Sequence, residues 1–189
     1  GARYPWETVE TGEEAAPSGF WLDHIFHMAH IALSSWHYYQ FSNDLDFLRS
    51  KGYPVIKACA AFFLFQSVYT VADGRTIIGR CTDLERLGSA VENAYMTTCS
   101  AIATLQAAAQ AAGLLDLDPE QARQWQDAAV KLREHLPHDG TQYIPFPGCD
   151  QKSVAVLSGL FPYGVIPPDD SRQRQAILDF CADESAFGN

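Results

Sequence analysis

The sequence contains few basic residues and no cluster of them. Lys and Arg number 13 against 23 Asp and Glu, which gives the 189-residue chain a formal net charge of −10. The phosphate backbone of a nucleic acid is bound mainly through grouped Lys and Arg side chains. An acidic chain whose basic residues are scattered therefore argues against a nucleic-acid partner.

Long apolar runs are also missing. The densest apolar stretch, residues 58–65, is far shorter than the roughly 20 residues that cross a bilayer. We therefore expect no membrane partner. The chain opens on polar residues rather than on a basic segment followed by an apolar one, so no signal peptide is expected. It also begins without Met, and we expect it to start inside a longer protein.

Motifs that bind metals are absent as well. The cysteines are odd in number and widely spaced, which predicts unpaired thiols rather than a disulfide framework or a zinc site. They are Cys59, Cys81, Cys99, Cys149 and Cys181. His24, His27 and His30 share a helical segment, but position i+6 points away from position i and no HExxH pattern accompanies them. We expect buried or interfacial histidines, no metal and no organic cofactor.

Helical periodicity, in contrast, is present along most of the chain. Apolar residues recur at helical spacing, and Gly, Pro and Asp punctuate the segments. Helices are predicted over residues 20–41, 44–71 with a restart at Pro54, 91–112 with Gly113 as C-cap, 118–136 and 170–183, and a short β-like segment at 76–78. Serial helix hairpins predict an all-α fold, either part of an α/α toroid or an α-solenoid, with a plain helical bundle as the rival.

A polar loop at residues 79–88 is the candidate for chemistry. It carries the carboxylates of Asp83 and Glu85 and the guanidinium groups of Arg80 and Arg86. Loops at the ends of rigid elements commonly hold catalytic groups. The alternative is an ordinary loop whose charges are solvated.

Three segments of the chain resemble one enzyme family. Residues 1–7 read GARYPWE and residues 11–14 read TGEE; residues 93–95 read NAY; residues 150–154 read DQKSV. In this order they are similar to the GAxxPWE…TGEE, Asn-Ala-Tyr-Thr and KQADV segments of the family-65 glycoside hydrolases and phosphorylases. Within the polar loop, residues 82–85 read TDLE where that family has PDE.

The resemblance implies a fold and a reaction. Residues 1–189 would form a single domain that is a fragment of a larger catalytic (α/α)6 toroid, about half of it, with helical hairpins and short β-like segments in the loops. The reaction would be inverting cleavage of a glycosidic bond in a small α-linked glucoside. Its partners would be the carbohydrate, inorganic phosphate in the case of a phosphorylase, and the remainder of the parent chain.

The resemblance also implies roles for individual residues. Alignment on Asn93 places the family's general acid on Glu85. Such an acid needs a raised pKa, which a nearby anion such as Asp83 would supply and which Arg80 and Arg86 would oppose. The implied substrate-binding residues are Tyr4, Trp6, Glu7, Asn93, Tyr95, Gln151 and Lys152.

Blander alternatives stand beside these roles. Tyr4 and Trp6 would simply anchor their loop on the core, and Glu7 would pair with Arg3. For the whole chain, the alternatives are a non-catalytic carbohydrate-binding or structural toroid, and a helical scaffold that binds protein.

Overall fold

The computed structural model describes residues 1–17, 19–70, 72–84 and 87–182, with only the backbone of Phe20, Gln66, Ser67 and Val68. The helices are α1 (His27–Ser42), α2 (Leu45–Phe47), α3 (Tyr53–Phe62), α4 (Tyr95–Leu115), α5 (Pro119–Glu134) and α6 (Ser171–Cys181). Short 3-10 turns occupy Gly19–Asp23 and Val154–Leu157, and wide π-helical turns occupy Leu48–Gly52 and Phe63–Ser67. Strands β1 (Val68–Thr70) and β2 (Thr76–Ile78) form one antiparallel hairpin. The predicted all-α fold with short β segments in its loops is confirmed.

Helix α4 forms the centre of the described structure. It packs against α1, α3 and α5, and most of its 21 residues are buried. A helix that is buried on nearly all sides belongs in the middle of a core. Its many alanines, including Ala101, Ala107 and Ala111, are fully or almost fully buried, and such small side chains let the neighbouring helices approach closely.

Helix α5 covers α4 with one apolar face. Its buried residues are Trp125, Ala128, Ala129 and Leu132, which follow the i, i+3, i+4, i+7 spacing of an amphipathic helix. Trp125 is fully buried, whereas the charged side chains lie on the opposite face. The α4–α5 pair is thus the hairpin that the sequence pattern predicts.

The turn between α4 and α5 is tied to α3 by Asp118. The Asp118 carboxylate accepts hydrogen bonds from the Tyr53 hydroxyl at 2.6 Å and from Lys57 Nζ at 2.7 Å. These two donors lower the pKa of Asp118, Lys57 more than Tyr53, against a small opposing effect of burial. Asp118 has φ 48° and makes no side-chain cap. The predicted helix start is correct, and the Asp118 side chain forms this cross-link rather than a cap on α5.

Several predicted boundaries are wrong. Helix α1 begins at His27 rather than at residue 20. The predicted helical stretch to residue 71 ends at Ser67, where the π-helical turn after α3 gives way to β1. Helix α4 begins only at Tyr95, because the Asn93 backbone N–H is bonded to the Ile78 carbonyl and Ala94 is extended. It also runs past Gly113, and the residue that ends it is Asp116 in the left-handed region.

Candidate active site

Three distant segments meet at the start of α4. Arg80 in the acidic loop, the name used here for residues 79–88, pairs with Asp23 at 2.9 Å, and the Thr82 N–H donates to the Asp23 carbonyl at 2.8 Å. The Tyr95 N–H donates to the Pro145 carbonyl at 2.7 Å. The N-terminal segment, the acidic loop and the segment after α5 are therefore held together by direct bonds.

The acidic loop is closed by backbone hydrogen bonds. Cys81 and Val91 exchange two N–H···O bonds of 2.9 Å, the Asp83 N–H donates to the Gly88 carbonyl at 3.1 Å, and the Leu87 N–H donates to the Leu84 carbonyl at 3.1 Å. The predicted acid Glu85 and its neighbour Arg86 lie outside the described residues. The bonds nevertheless fix the chain on both sides of those two positions.

Asp83 is the carboxyl group of the acidic loop that the structure describes. Its side chain is fully buried, and neither carboxylate oxygen has a hydrogen-bond partner among the described residues. Burial raises the pKa of Asp83 to about 7, and the nearby Leu84 N–H offsets only part of that effect. A carboxyl with this pKa is mostly neutral in mildly acidic solution. The expectation that Asp83 supplies an anion beside Glu85 stays a prediction.

The N-terminal loop is organised around Glu14. The Glu14 carboxylate accepts hydrogen bonds from the backbone N–H groups of Trp6, Glu7 and Ala16, at 2.8 to 3.0 Å. Burial by itself would raise the pKa of Glu14, but these donors outweigh it and the pKa is lowered. A carboxylate that accepts several converging N–H bonds is stabilised in its charged form. The sequence analysis used the TGEE motif without assigning this role to Glu14.

Trp6 and Tyr4 attach this loop to α1. The Trp6 ring contacts the rings of His24 at 4.4 Å and His27 at 5.2 Å between centroids. The Tyr4 carbonyl is bonded to His27 Nε2 at 3.0 Å, and the Tyr4 N–H contacts Met28 Sδ at 3.2 Å. The anchoring alternative is therefore observed. Both side chains are half-buried, so their proposed contact with a sugar stays a prediction.

Glu7 and the histidines complete this part of the site. The Glu7 side chain is exposed, and the described residues contain no ion pair between it and Arg3, whose guanidinium donates to the Leu22 carbonyl. His24 is buried and His27 half-buried, as predicted, whereas His30 is exposed. The described part of the chain contains no group of three or more His, Cys, Asp or Glu placed to hold a metal ion.

Asn93 and Tyr95 are held inside the fold. Asn93 Nδ2 donates to the His135 carbonyl at 2.8 Å. The Tyr95 hydroxyl donates to Gln173 Oε1 at 2.6 Å, and Gln173 Nε2 donates to the Val156 carbonyl at 2.8 Å. Since both predicted residues are buried and engaged, their observed role is to join α4 to its neighbours. Substrate binding by these residues stays a prediction.

Replacing Tyr95 with Phe is expected to destabilise the fold by about 1–3 kcal/mol, because Gln173 Oε1 would remain buried without its donor. Thermal denaturation of the full-length protein measures this effect, and KM should not change. Tyr38→Phe, on a side chain that is 50% exposed, is the matched control. A tenfold rise in KM without loss of stability would instead assign the Tyr95 hydroxyl to the substrate.

Gln151 and Lys152 line a cavity beside the acidic loop. The cavity, of about 160 Å³, is enclosed on one side by the segment that follows α5 and on the other by α6. Its polar lining includes Asp139, Gln142, Tyr143, Asp150, Ser153 and Asp179. Lys152 Nζ pairs with Asp179 at 3.1 Å. Cys149 also lines the cavity, and burial first, then the charges of Asp83 and Asp150, raise its thiol pKa. Asp83 is thus within electrostatic range of Cys149 at the cavity.

The structure thus brings the predicted residues together in two groups. Tyr4, Trp6 and Glu7 lie on the N-terminal loop, Gln151 and Lys152 lie at the cavity, and the acidic loop contacts the segments that carry both.

Within the described ranges, no helix is long and apolar enough to span a membrane.

Comparison with known proteins gives one family. The model of the glycosyl hydrolase family 65 central catalytic domain matches residues 1–145. A kojibiose hydrolase from Mucilaginibacter mallensis is 36% identical over 188 residues, which cover 95% of this chain and 26% of that protein. A kojibiose phosphorylase from Caldanaerobacter subterraneus subsp. tengcongensis is 25% identical over 188 residues, which cover 85% of this chain and 23% of that protein.

A vertebrate glucosidase is also similar to nearly the whole of this chain. The protein-glucosylgalactosylhydroxylysine glucosidase of Danio rerio is 26% identical over 192 residues, which cover 95% of this chain and 29% of that protein. The chain therefore spans less than a third of the length of these three relatives. Because the family model matches more than half of the chain, this protein belongs to glycosyl hydrolase family 65, in the region of the central catalytic domain.

Proposed function

We propose that this chain is part of an enzyme that cleaves the glycosidic bond of a small α-linked glucoside with inversion, using Glu85 as general acid. The observation that carries the proposal is the acidic loop. Its backbone is bonded to the N-terminal segment through Asp23, and Asp83 within it is in electrostatic range of Cys149 at the cavity that holds Gln151 and Lys152. Cleavage of a glycosidic bond needs a carboxylic acid at the sugar site, and the resemblance assigns that role to Glu85 in this loop.

The proposed chemistry needs one acid and one nucleophile. The Glu85 carboxylic acid would protonate the leaving oxygen, and water activated by a second carboxylate would attack the anomeric carbon from the opposite face. In an inverting hydrolase the two carboxyl groups lie about 6.5–9.5 Å apart. We place the second carboxylate in the remainder of the catalytic domain.

The names of the relatives support a small α-linked glucoside as the substrate. They include kojibiose hydrolase, kojibiose phosphorylase and alpha,alpha-trehalose phosphorylase. Identity to the hydrolase is 36%, against 25% to the phosphorylase from Caldanaerobacter. We therefore propose water rather than phosphate as the attacking group.

The chain is also proposed to be a segment of a larger toroid. An almost entirely apolar groove is lined by Leu84, Met96, Leu157 and Ile177, and also by Phe161, which is 82% exposed. An apolar surface of this kind is normally covered. Further helices of the same catalytic domain would cover it, which agrees with the small share of each relative that the chain matches.

A substrate panel tests the proposal. The full-length protein that carries this chain would be incubated with α- and β-linked glucosyl disaccharides, with and without inorganic phosphate. Release of glucose from an α-linked disaccharide without phosphate is the expected result, with the anomer formed followed by NMR. Strict dependence on phosphate would establish a phosphorylase instead. Sugar binding without turnover on any substrate would contradict the proposal and favour the non-catalytic toroid.

A further inference from the structure

The part of the N-terminal loop from residue 6 to residue 16 is held by hydrogen bonds rather than by packing. Residues 7–15 are all exposed, and a depression of about 290 Å³ opens along them, with Gly12 and Glu14 in its lining. In the described part of the chain, residues 7–15 make no hydrogen bond to any residue outside 6–16. The course of this part is therefore set by its own hydrogen bonds and by the anchored residues on which it begins.

Glu14 makes the central bonds of this part. Its Oε2 atom accepts from the Trp6 N–H at 2.8 Å, and its Oε1 atom accepts from the N–H groups of Glu7 and Ala16, each at 3.0 Å. The Ala15 N–H donates to the Glu7 carbonyl at 2.9 Å. Hydrogen bonds to a charged acceptor are stronger than neutral ones. One carboxylate thus ties the backbone of two successive residues, Trp6 and Glu7, to the returning segment.

The chain just before Glu7 is anchored separately. The Tyr4 carbonyl is bonded to His27 Nε2 at 3.0 Å, and the Trp6 ring contacts the His27 ring at 5.2 Å between centroids. The Glu7 side chain, in contrast, is exposed. Glu14 therefore decides how the chain leaves the anchored Trp6 and where the Glu7 side chain points.

This loop borders the candidate active site. The Arg3 guanidinium donates to the Leu22 carbonyl, and the carbonyl of the next residue, Asp23, accepts from the Thr82 N–H of the acidic loop at 2.8 Å. Leu22 also lines the depression beside Glu14. The N-terminal loop and the acidic loop are therefore bonded to adjacent residues of the same segment.

We propose that Glu14 is a positioning residue for substrate binding: its carboxylate fixes the backbone after Trp6 and thereby directs the Glu7 side chain to the sugar. This inference rests on the proposed function and on the sugar contact predicted for Glu7. The Glu14 carboxylate itself is turned to three main-chain donors. When a binding conformation is populated only in part, affinity falls in proportion to that population. Loss of the Glu14 bonds should therefore act on KM.

Glu14→Gln removes this role with little change in shape. Burial alone would raise the pKa of Glu14, but its N–H donors and the charge of Arg3 outweigh it and lower the pKa, so the wild-type side chain is a carboxylate at neutral pH. A Gln side chain has one acceptor oxygen, and its NH2 group would face at least one of the three N–H donors. The backbone between Trp6 and Glu7 would then be free to take other conformations.

Steady-state kinetics of the full-length protein on the α-linked disaccharide that it cleaves are the first test. Glu14→Gln should raise KM about tenfold, as for a binding conformation populated about a tenth of the time, and should change kcat less than about twofold, because bound sugar restores the loop. Glu13→Gln changes the neighbouring exposed glutamate and should keep the wild-type KM. An unchanged KM in Glu14→Gln would overturn the proposal. A kcat about 100-fold lower at unchanged KM would place Glu14 in the reaction itself and would equally overturn it.

A double-mutant cycle with Glu7 shows whether Glu14 acts through that side chain. Glu7→Ala alone should raise KM, and in this background Glu14→Gln should have much less effect than it has alone, because both changes remove one contact. Additive effects of the two changes would show that Glu14 does not act through Glu7. An unchanged KM in Glu7→Ala would remove the sugar contact on which the inference rests. Either result contradicts the proposal.

Hydrogen exchange by mass spectrometry separates positioning from a general loss of structure. In Glu14→Gln, exchange should be faster in the segment 4–17 and unchanged in peptides of α4. Faster exchange in that segment with an unchanged KM would make Glu14 a purely structural residue and refute its positioning role.

Absence of turnover in the wild type would refute the proposed function instead. The same variants would then be compared by calorimetry with the glucosyl disaccharides. A weaker sugar affinity in Glu14→Gln than in Glu13→Gln would still support the positioning role, whereas equal affinity in all three proteins, or binding by none of them, would overturn it.

Discussion

Replacing Glu85 with Gln is expected to lower the turnover of an α-linked glucosyl disaccharide by about 100- to 10,000-fold, the contribution of a positioned general acid. Gln has nearly the same shape but no proton to give to the leaving oxygen. KM should change little, because the sugar would keep its other contacts. The measurement is kcat and KM of the full-length variant and wild type at the optimal pH.

The leaving group supplies the control for this prediction. A glycosyl fluoride needs little help from an acid, so Glu85→Gln should cleave it at a rate close to that of the wild type. Glu92→Gln changes an exposed glutamate nearby and should leave both activities intact. An equal loss on both substrates would mean that Glu85 does not act by protonating the leaving oxygen. Full activity on the disaccharide would remove it from the mechanism.

The second large effect is expected at Trp125 on α5. This side chain is fully buried in the core of the α4–α5 pair, and truncation of such a residue to Ala typically destabilises a fold by about 3–5 kcal/mol through the cavity that it leaves. In hydrogen exchange of the full-length protein, the amides of α5 should open about two to three and a half orders of magnitude more often.

Two further variants separate packing from chemistry at this position. Trp125 Nε1 is buried without a hydrogen-bond partner among the described residues, so Trp125→Phe loses volume but no hydrogen bond. It should destabilise α5 much less than Trp125→Ala does. Val130→Ala alters a side chain of the same helix that is 47% exposed and should change exchange less than about twofold, in keeping with surface positions. If Trp125→Ala exchanged like Val130→Ala, the packing assigned to α5 would be wrong.

Local sequence signals predicted the helices better than their ends. The Asp118-Pro119 pair correctly marks the start of α5, because Pro fits the first helical turn. The same signal could not predict the contacts of Asp118, since its partners Tyr53 and Lys57 are more than 60 residues away along the chain. Periodicity likewise extended α1 over residues 20–26, where the carbonyl of Asp23 is bonded to the acidic loop instead.

The candidate site could be predicted only in part for the same reason. Motif resemblance selected Trp6, Gln151 and Lys152, which lie beside segments that contact the acidic loop. It could not reveal that Asp83 is fully buried, because a polar residue in a polar segment normally faces water. The burial of Asp83 comes from the fold around its loop, which no local pattern encodes.

The way in which the acidic loop is held has an evolutionary consequence. The bonds that define its path run between main-chain atoms, at Thr82 and Asp23, at Cys81 and Val91, and at Asp83 and Gly88. Main-chain donors and acceptors survive almost any exchange of side chain that is not to proline. Such a loop can drift in sequence while its course stays the same, with one exception: the Pro of a PDE segment, in place of Thr82 or Asp83, would remove one of these N–H donors.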